Sequence, residues 1–211
     1  MMNGPFTREN DGFTLIELLI SVAIFSLIIG SIFSFSIAQR KYLSVQEQIS
    51  EMTQNARSAM DMISGEISSA GYRPEGPVIN PIGPAFKGIV YDTSQIQIQA
   101  DLNGNKRTTS ATDPNENPNE LVTYSYDSTN KRIVRRTNIA GVNQPLSENI
   151  QNFSFNYLDK QGNPTTVTDD IRQIRISITT RTSKPDPQYS ANSGYRTFTL
   201  TSVVTPRNLD Y

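Results

Sequence analysis

Histidine and cysteine, the side chains that most often carry catalysis or hold metals, do not occur among the 211 residues. Their absence removes Ser-His-Asp and Cys-His nucleophilic sites, imidazole and thiolate zinc sites, haem and iron–sulfur ligation, and any disulfide framework. Carboxylate, hydroxyl, lysine and arginine chemistry remains. Glu17 stands at the start of a long uncharged run, where a carboxylate acts as a counter-ion or reaches the interface. Asp101, Asn103 and Asn105 offer oxygen ligands at alternate positions, as calcium loops do. The sixth position of that loop is Lys106 rather than glycine and the twelfth is Thr112 rather than Glu; Asp113, Glu116 and Glu120 are further carboxylates of the same stretch. A polar hairpin loop needing no metal is the plainer reading, with calcium as the alternative; no other cofactor is expected. Asp169-Asp170 has no spacing that fixes an acid/base pair. Arg132, Arg135, Arg136, Arg172 and Arg175 fall on expected strands and read as a solvated basic face rather than a nucleic-acid strip.

Composition sets the frame for these groups. Lys+Arg total 19 and Asp+Glu 20, a formal net charge of −1, so no basic field argues for nucleic acid as a partner. Only 36% of residues are hydrophobic, and they are unevenly spread. Leu18 to Gln39 is 22 residues without a charge. As a helix this run would be roughly 33 Å long, enough to cross a bilayer's hydrocarbon core. Ile20, Val22, Ile24, Phe25, Leu27, Ile28 and Ile29 cover every face, and such a helix belongs in lipid or inside a bundle. The rest of the chain is too polar to wrap it. A secretory signal would need a shorter apolar stretch with small residues on its far side, whereas here the small residue, Gly12, precedes the run.

Gly12-Phe13-Thr14-Leu15-Ile16-Glu17, followed by Leu18-Leu19-Ile20 and the apolar run, resembles the processing site of type IV prepilins, a signature shared with type II secretion pseudopilins. The resemblance implies cleavage between Gly12 and Phe13 by a membrane aspartyl peptidase, and methylation of the new amine of Phe13. It also implies that Glu17 of an incoming subunit pairs with the methylated amine of its neighbour in a filament. The leader departs from the usual basic pattern, holding Arg8 against Glu9 and Asp11. For Glu17 the alternative is an interfacial acid that only reaches for water.

Beyond Arg40, the residues Val45, Ile49, Met52, Ala56, Ala59, Ile63, Ile67 and Ala70 recur at spacings of four and three, an amphipathic helix with one apolar stripe. Gly71, followed by Tyr72-Arg73-Pro74, reads as its C-cap and stop. One helix from about Phe13 to Ala70 is expected, with Gly30 and the serines at 31, 34 and 36 as a place for bending. Prolines 77, 81 and 84 mark a linker. From Gly88 the period becomes two: Ile96/Ile98, Val122/Tyr124/Tyr126, Phe153/Phe155/Tyr157, Ile174/Ile176/Ile178 and Phe198/Leu200. The turn-like stretches Asp127–Lys131 and Asp159–Asn163 separate such runs.

The expected fold class is therefore α+β: a long N-terminal helix packed on an antiparallel sheet of five or six strands. Its organisation is a leader over residues 1–12, an apolar helix half over 13–39, an amphipathic half over 40–71, and a β-rich head over 72–211 with a Pro/Gly linker at 74–87. Ala56-Arg57-Ser58-Ala59-Met60-Asp61, Ile67-Ser68-Ser69-Ala70-Gly71-Tyr72-Arg73-Pro74 and Val203-Val204-Thr205-Pro206-Arg207-Asn208 are similar to segments of PilW-type minor pilins, with J-type pseudopilins as the nearest neighbours. That likeness implies a structural subunit rather than an enzyme, and a single-pass inner-membrane protein whose periplasmic head later joins a pilus. Its implied partners are the prepilin peptidase, other minor and major pilins, an inner-membrane assembly platform and, before assembly, the lipid bilayer. A membrane-anchored binding module or carboxylate-based hydrolase is the alternative of a different class.

Overall fold

The computed structural model describes residues 12–74, 86–108, 117–137 and 141–209. The expected leader up to residue 11, most of the expected Pro/Gly linker, and Thr112, Asp113 and Glu116 lie outside them. Helix α1 spans Leu15–Ser69, 55 residues, and is unbroken through Gly30 and the neighbouring serines. The chain divides into two compact units, Met1–Gln46 and Glu47–Tyr211.

In the first unit the helix buries nothing. Leu15, Ile16, Leu18, Leu19, Ile20, Val22, Ile24, Phe25 and the apolar residues on to Ile37 are all exposed. By length and composition this helix is apolar enough to cross a membrane. Four of its hydroxyls are satisfied internally: Ser21, Ser26, Ser31 and Ser34 each donate to the carbonyl four residues back, at 2.7, 2.7, 2.8 and 2.9 Å.

In the second unit the stripe on α1 is the core face. Met52, Ala56, Ala59, Ile63 and Ile67 are buried as their spacing requires, and Met60 joins them. Ala70 is buried too, whereas Ile49 is only half-buried, as is Val45 at the end of the first unit. The helix ends where glycine permits: Gly71 has φ +82°, and a Cβ there would lie 2.4 Å from the Asn208 carbonyl oxygen. The N–H of Arg207 donates to the Ser68 carbonyl, so the C-terminal segment crosses the helix end.

The head has two antiparallel sheets, not the single sheet expected. The first is a meander of β1 (Ile89–Val90), β2 (Gln95–Gln99), β3 (Leu121–Asp127), β4 (Arg132–Thr137) and β5 (Gln144–Ser147). The second joins β6 (Ile150–Leu158), β7 (Gln173–Arg181) and β8 (Thr197–Val204) in that order. The break falls at β5 for a chemical reason. Pro145 lacks the N–H that a further neighbour would need, which confines β5 to an edge. Asn149 then turns the chain at φ +57°, and the Ile150 N–H donates to the Lys131 carbonyl as β6 starts the other sheet. The alternating runs all lie on strands. Ile96, Ile98, Val122, Tyr124 and Ile133 of one sheet, and Ile174, Ile176 and Ile178 of the other, share one core with Ala59, Ile63 and Ile67. Burying each isoleucine contributes on the order of 1.5–3 kcal/mol relative to leaving it exposed.

Candidate functional site

At the start of α1, Gly12, Phe13 and Thr14 precede the helix and are exposed. No described atom lies within 4 Å of where a Cβ would stand on Gly12. The fold itself therefore does not ask for glycine there. Thr14 and Glu17 form a reciprocal pair: the Thr14 N–H and hydroxyl donate to Glu17 Oε2 at 2.9 and 2.8 Å, and the Glu17 N–H donates to Thr14 Oγ1 at 3.3 Å. This is a capping box, satisfying otherwise orphaned amide groups at the helix start. Sequence reasoning read Glu17 only through its charge; the Thr-x-x-Glu spacing was the signal for the second role. With Phe13 82% exposed and nothing covering the span, the carboxylate stands at the head of a bare apolar helix.

The calcium candidates are arranged differently from ligands around an ion. Asp101 is fully buried, and its Oδ1 and Oδ2 accept from the N–H groups of Gly104 (2.8 Å) and Lys106 (2.9 Å). Asn103 Oδ1 accepts from Asn105 N–H and Asn105 Oδ1 from Arg107 N–H, at 2.9 and 2.8 Å. Glu120 Oε1 takes the N–H groups of Leu102 and Asn103, both at 3.0 Å. These side-chain oxygens thus fold the loop's own backbone. Among the described residues no group of three or more acidic side chains is disposed to hold a metal ion.

The arginines separate. Arg132 and Arg135 lie on β4 of the first sheet and Arg175 on β7 of the second, so they do not form one strip. Arg132 Nε donates to Asp127 Oδ2 at 2.9 Å. Arg172 Nη1 donates to the carbonyls of Asp169 and Ile171. Asp169 forms an ion pair with Lys87 across the head, and Asp170 is exposed beside it. Arg135 turns inward: Nη2 lies 2.6 Å from Glu66 Oε1, with Asn119 Oδ1 at 2.9 Å. The fully buried Tyr124 donates its hydroxyl to Glu66 Oε2 at 2.5 Å. Burial first, and the Glu66 carboxylate second, push the Tyr124 phenol well above its ordinary range. This triad fastens α1 to β3 and β4. Sequence reasoning missed it, because its members lie 58 and 69 residues apart.

A bare apolar helix headed by a lone acid, continuing into an amphipathic segment clasped by antiparallel sheets, defines a type IV pilin-like protein. Residues 7–33 match the prokaryotic N-terminal methylation motif, and residues 45–200 match the model for prepilin peptidase-dependent protein B. The chain belongs to the prepilin peptidase-dependent protein B family. No curated protein sequence matches it. Among solved structures it is similar to a type IV-like pilin from Thermus thermophilus, at 10% identity and a TM-score of 0.44, covering 75% of this chain and 98% of that one.

Proposed function

We propose that this protein is a minor pilin, a structural subunit that takes part in the initiation, assembly or tip of a type IV pilus. In this reading the peptide bond between Gly12 and Phe13 is cut by prepilin peptidase and the amine of Phe13 is methylated. The observation that carries it is the exposed Gly12-Phe13 junction set directly before a capped, wholly uncovered apolar helix. A peptidase working at the membrane needs an accessible bond, and the absent demand for glycine within the fold leaves that demand with the peptidase. Membership of a prepilin peptidase-dependent family supports the same reading.

Glu17 then has a second task. Cleavage creates a cation at Phe13, and in lipid a cation is costly unless paired. The carboxylate at the head of the span supplies the opposite charge for the amine of an adjacent subunit. The head faces the periplasm while the span rests in the inner membrane, and both enter the pilus on assembly. The test is mass spectrometry of the mature N-terminus together with the content of sheared filaments. A methylated Phe13 as first residue, and the chain in filaments, are expected. Gly12→Val places a β-branched side chain at the cut and should leave the leader attached; normal maturation of that variant would overturn the reading.

A further inference from the structure

Among the described residues the head has four sheet edges, and three are guarded against joining another strand. β1 is only two residues long. β5 carries Pro145, and its pairing with β4 shifts register between Ile133 and Val134. β6 has a register shift between Ile150 and Asn152, and the Tyr126 hydroxyl occupies the carbonyls of Ile150 and Gln151 at 3.1 and 3.0 Å. Short length, proline and bulges are the devices by which proteins keep edges from pairing.

β8 has none of them. Thr197–Val204 is eight residues without a charge or a proline. It pairs with β7 residue for residue, from Thr197 opposite Arg181 to Val204 opposite Ile174, with no bulge. Its core face is also incompletely covered. On β7, Ile174, Ile176 and Ile178 are each 0% exposed; on β8, Val204 opposite Ile174 is buried too, whereas Ser202 opposite Ile176, Leu200 opposite Ile178 and Phe198 opposite Thr180 remain half-buried. A further strand beside β8 would finish burying Phe198 and Leu200. On the outer face Thr199 and Thr201 are exposed and bonded to β7 through hydroxyls, Thr179 to Thr199 at 2.9 Å and Ser177 to Thr201 at 3.2 Å. That face is uncharged along β8 and sets no electrostatic barrier to a neighbour.

We infer that the free edge of β8 is a docking surface that accepts an extended strand from a different subunit of the filament, completing a four-stranded sheet. The incoming segment carries apolar side chains at alternate positions, to meet Phe198 and Leu200, and uncharged ones between them. Backbone hydrogen bonds supply affinity and the alternate side chains supply selectivity. Pairing with the β8 of a second copy of this chain does not fit. Antiparallel pairing of β8 with β8 requires a two-fold axis that reverses one molecule against the other, while subunits of a filament repeat in one direction. The inference rests on the reading of the chain as a filament subunit.

Backbone exchange tests it on the full-length protein. Amide hydrogen exchange is compared between protein extracted from membranes and the same protein in sheared filaments. Peptides covering 197–204 should slow by roughly tenfold or more in filaments, while those of β5 keep their rate. Thr201→Lys places a charge on the edge without touching the core; it should be processed normally yet fall out of filaments, and Thr201→Val should enter them. Unchanged exchange at β8 in filaments that contain the chain overturns the inference alone, as does normal entry of Thr201→Lys. Absence of the processed chain from filaments sinks the minor-pilin reading and this inference with it. The sequence holds no cysteine, so Thr201→Cys is a clean probe: a disulfide-linked pair of this chain would show self-pairing and overturn the assignment to a different subunit.

Discussion

Glu66 on helix α1 receives two donors from the first sheet, the Tyr124 hydroxyl at 2.5 Å and the Arg135 guanidinium at 2.6 Å. One carboxylate thus serves both a buried phenol and a cation that is only 16% exposed. Removing it alone, by Glu66→Ala, takes the acceptor from the Tyr124 hydroxyl and leaves the Arg135 guanidinium with only Asn119 Oδ1 and no opposing charge. A partly exposed pair lies between the ~1 kcal/mol of surface ion pairs and the larger loss on breaking buried ones, so we expect a cost of roughly 2–3 kcal/mol. Urea unfolding of a soluble head beginning at Lys41 should show a lower midpoint with an unchanged slope. In a double-mutant cycle, Glu66→Ala and Arg135→Met should be strongly non-additive; additive losses would contradict a shared carboxylate.

The same triad should make the fold sensitive to alkaline pH. Because the Tyr124 phenol is harder to ionise folded than unfolded, its neutral form favours the fold fully below about pH 10, the ordinary tyrosine value. That contribution drains away as pH rises beyond this point, since only the unfolded chain readily releases the proton. Wild-type stability should therefore fall above about pH 10 more steeply than that of Tyr124→Phe. Parallel profiles of the two proteins would refute the assignment to Tyr124.

Two glycines of α1 and its cap should respond with opposite signs. Gly71 is left-handed, and a Cβ would collide with the Asn208 carbonyl, so Gly71→Ala should cost at least about 1–2 kcal/mol. Gly65 lies inside α1 with open space around it. Gly65→Ala should raise the unfolding midpoint, gaining about 0.4–1 kcal/mol from helix propensity and the unfolded state. Thermal unfolding of the two variants decides the matter.

Cap and charge at Glu17 can be separated. Glutamine also serves in a capping box, so Glu17→Gln keeps the helix start while removing the charge. Thr14→Ala removes the cap and keeps the charge, at about 1 kcal/mol of local stability. If pairing with the amine of Phe13 governs assembly, Glu17→Gln should be cleaved normally yet be depleted from sheared filaments. Thr14→Ala should assemble better than Glu17→Gln. The reverse order would assign Glu17 to capping alone.

Local periodicity carried most of the fold. The stripe from Met52 to Ala70, the cap at Gly71 and the alternating strands are all written in spacings of two to four residues, and the structure follows them. What the spacings lacked was partnership. Nothing near Arg135 announces Glu66, and the pairing exists only once α1 lies on the sheet. The division into two sheets was written locally, in Pro145 and Asn149, but alternation reports which face a residue takes, not which strand stands beside it. At the N-terminus the capping box was legible at a spacing of three, whereas the expectation for Glu17 rested on its charge and on the resemblance of the motif around it.

The serines of the apolar helix bear on how it meets other helices. Ser21, Ser26, Ser31 and Ser34 have each already spent their single proton on a carbonyl of the same helix. A neighbouring span approaching any of them finds an oxygen that receives hydrogen bonds and none that gives one. Serine-to-serine zippering between such spans would first require a hydroxyl to turn away from its own backbone. Beyond the Glu17 end, close approach through shape, above all where Gly30 leaves a notch with nothing inside 4 Å, is favoured over hydroxyl pairing, so these serines set no polar lock against one span turning or sliding past another.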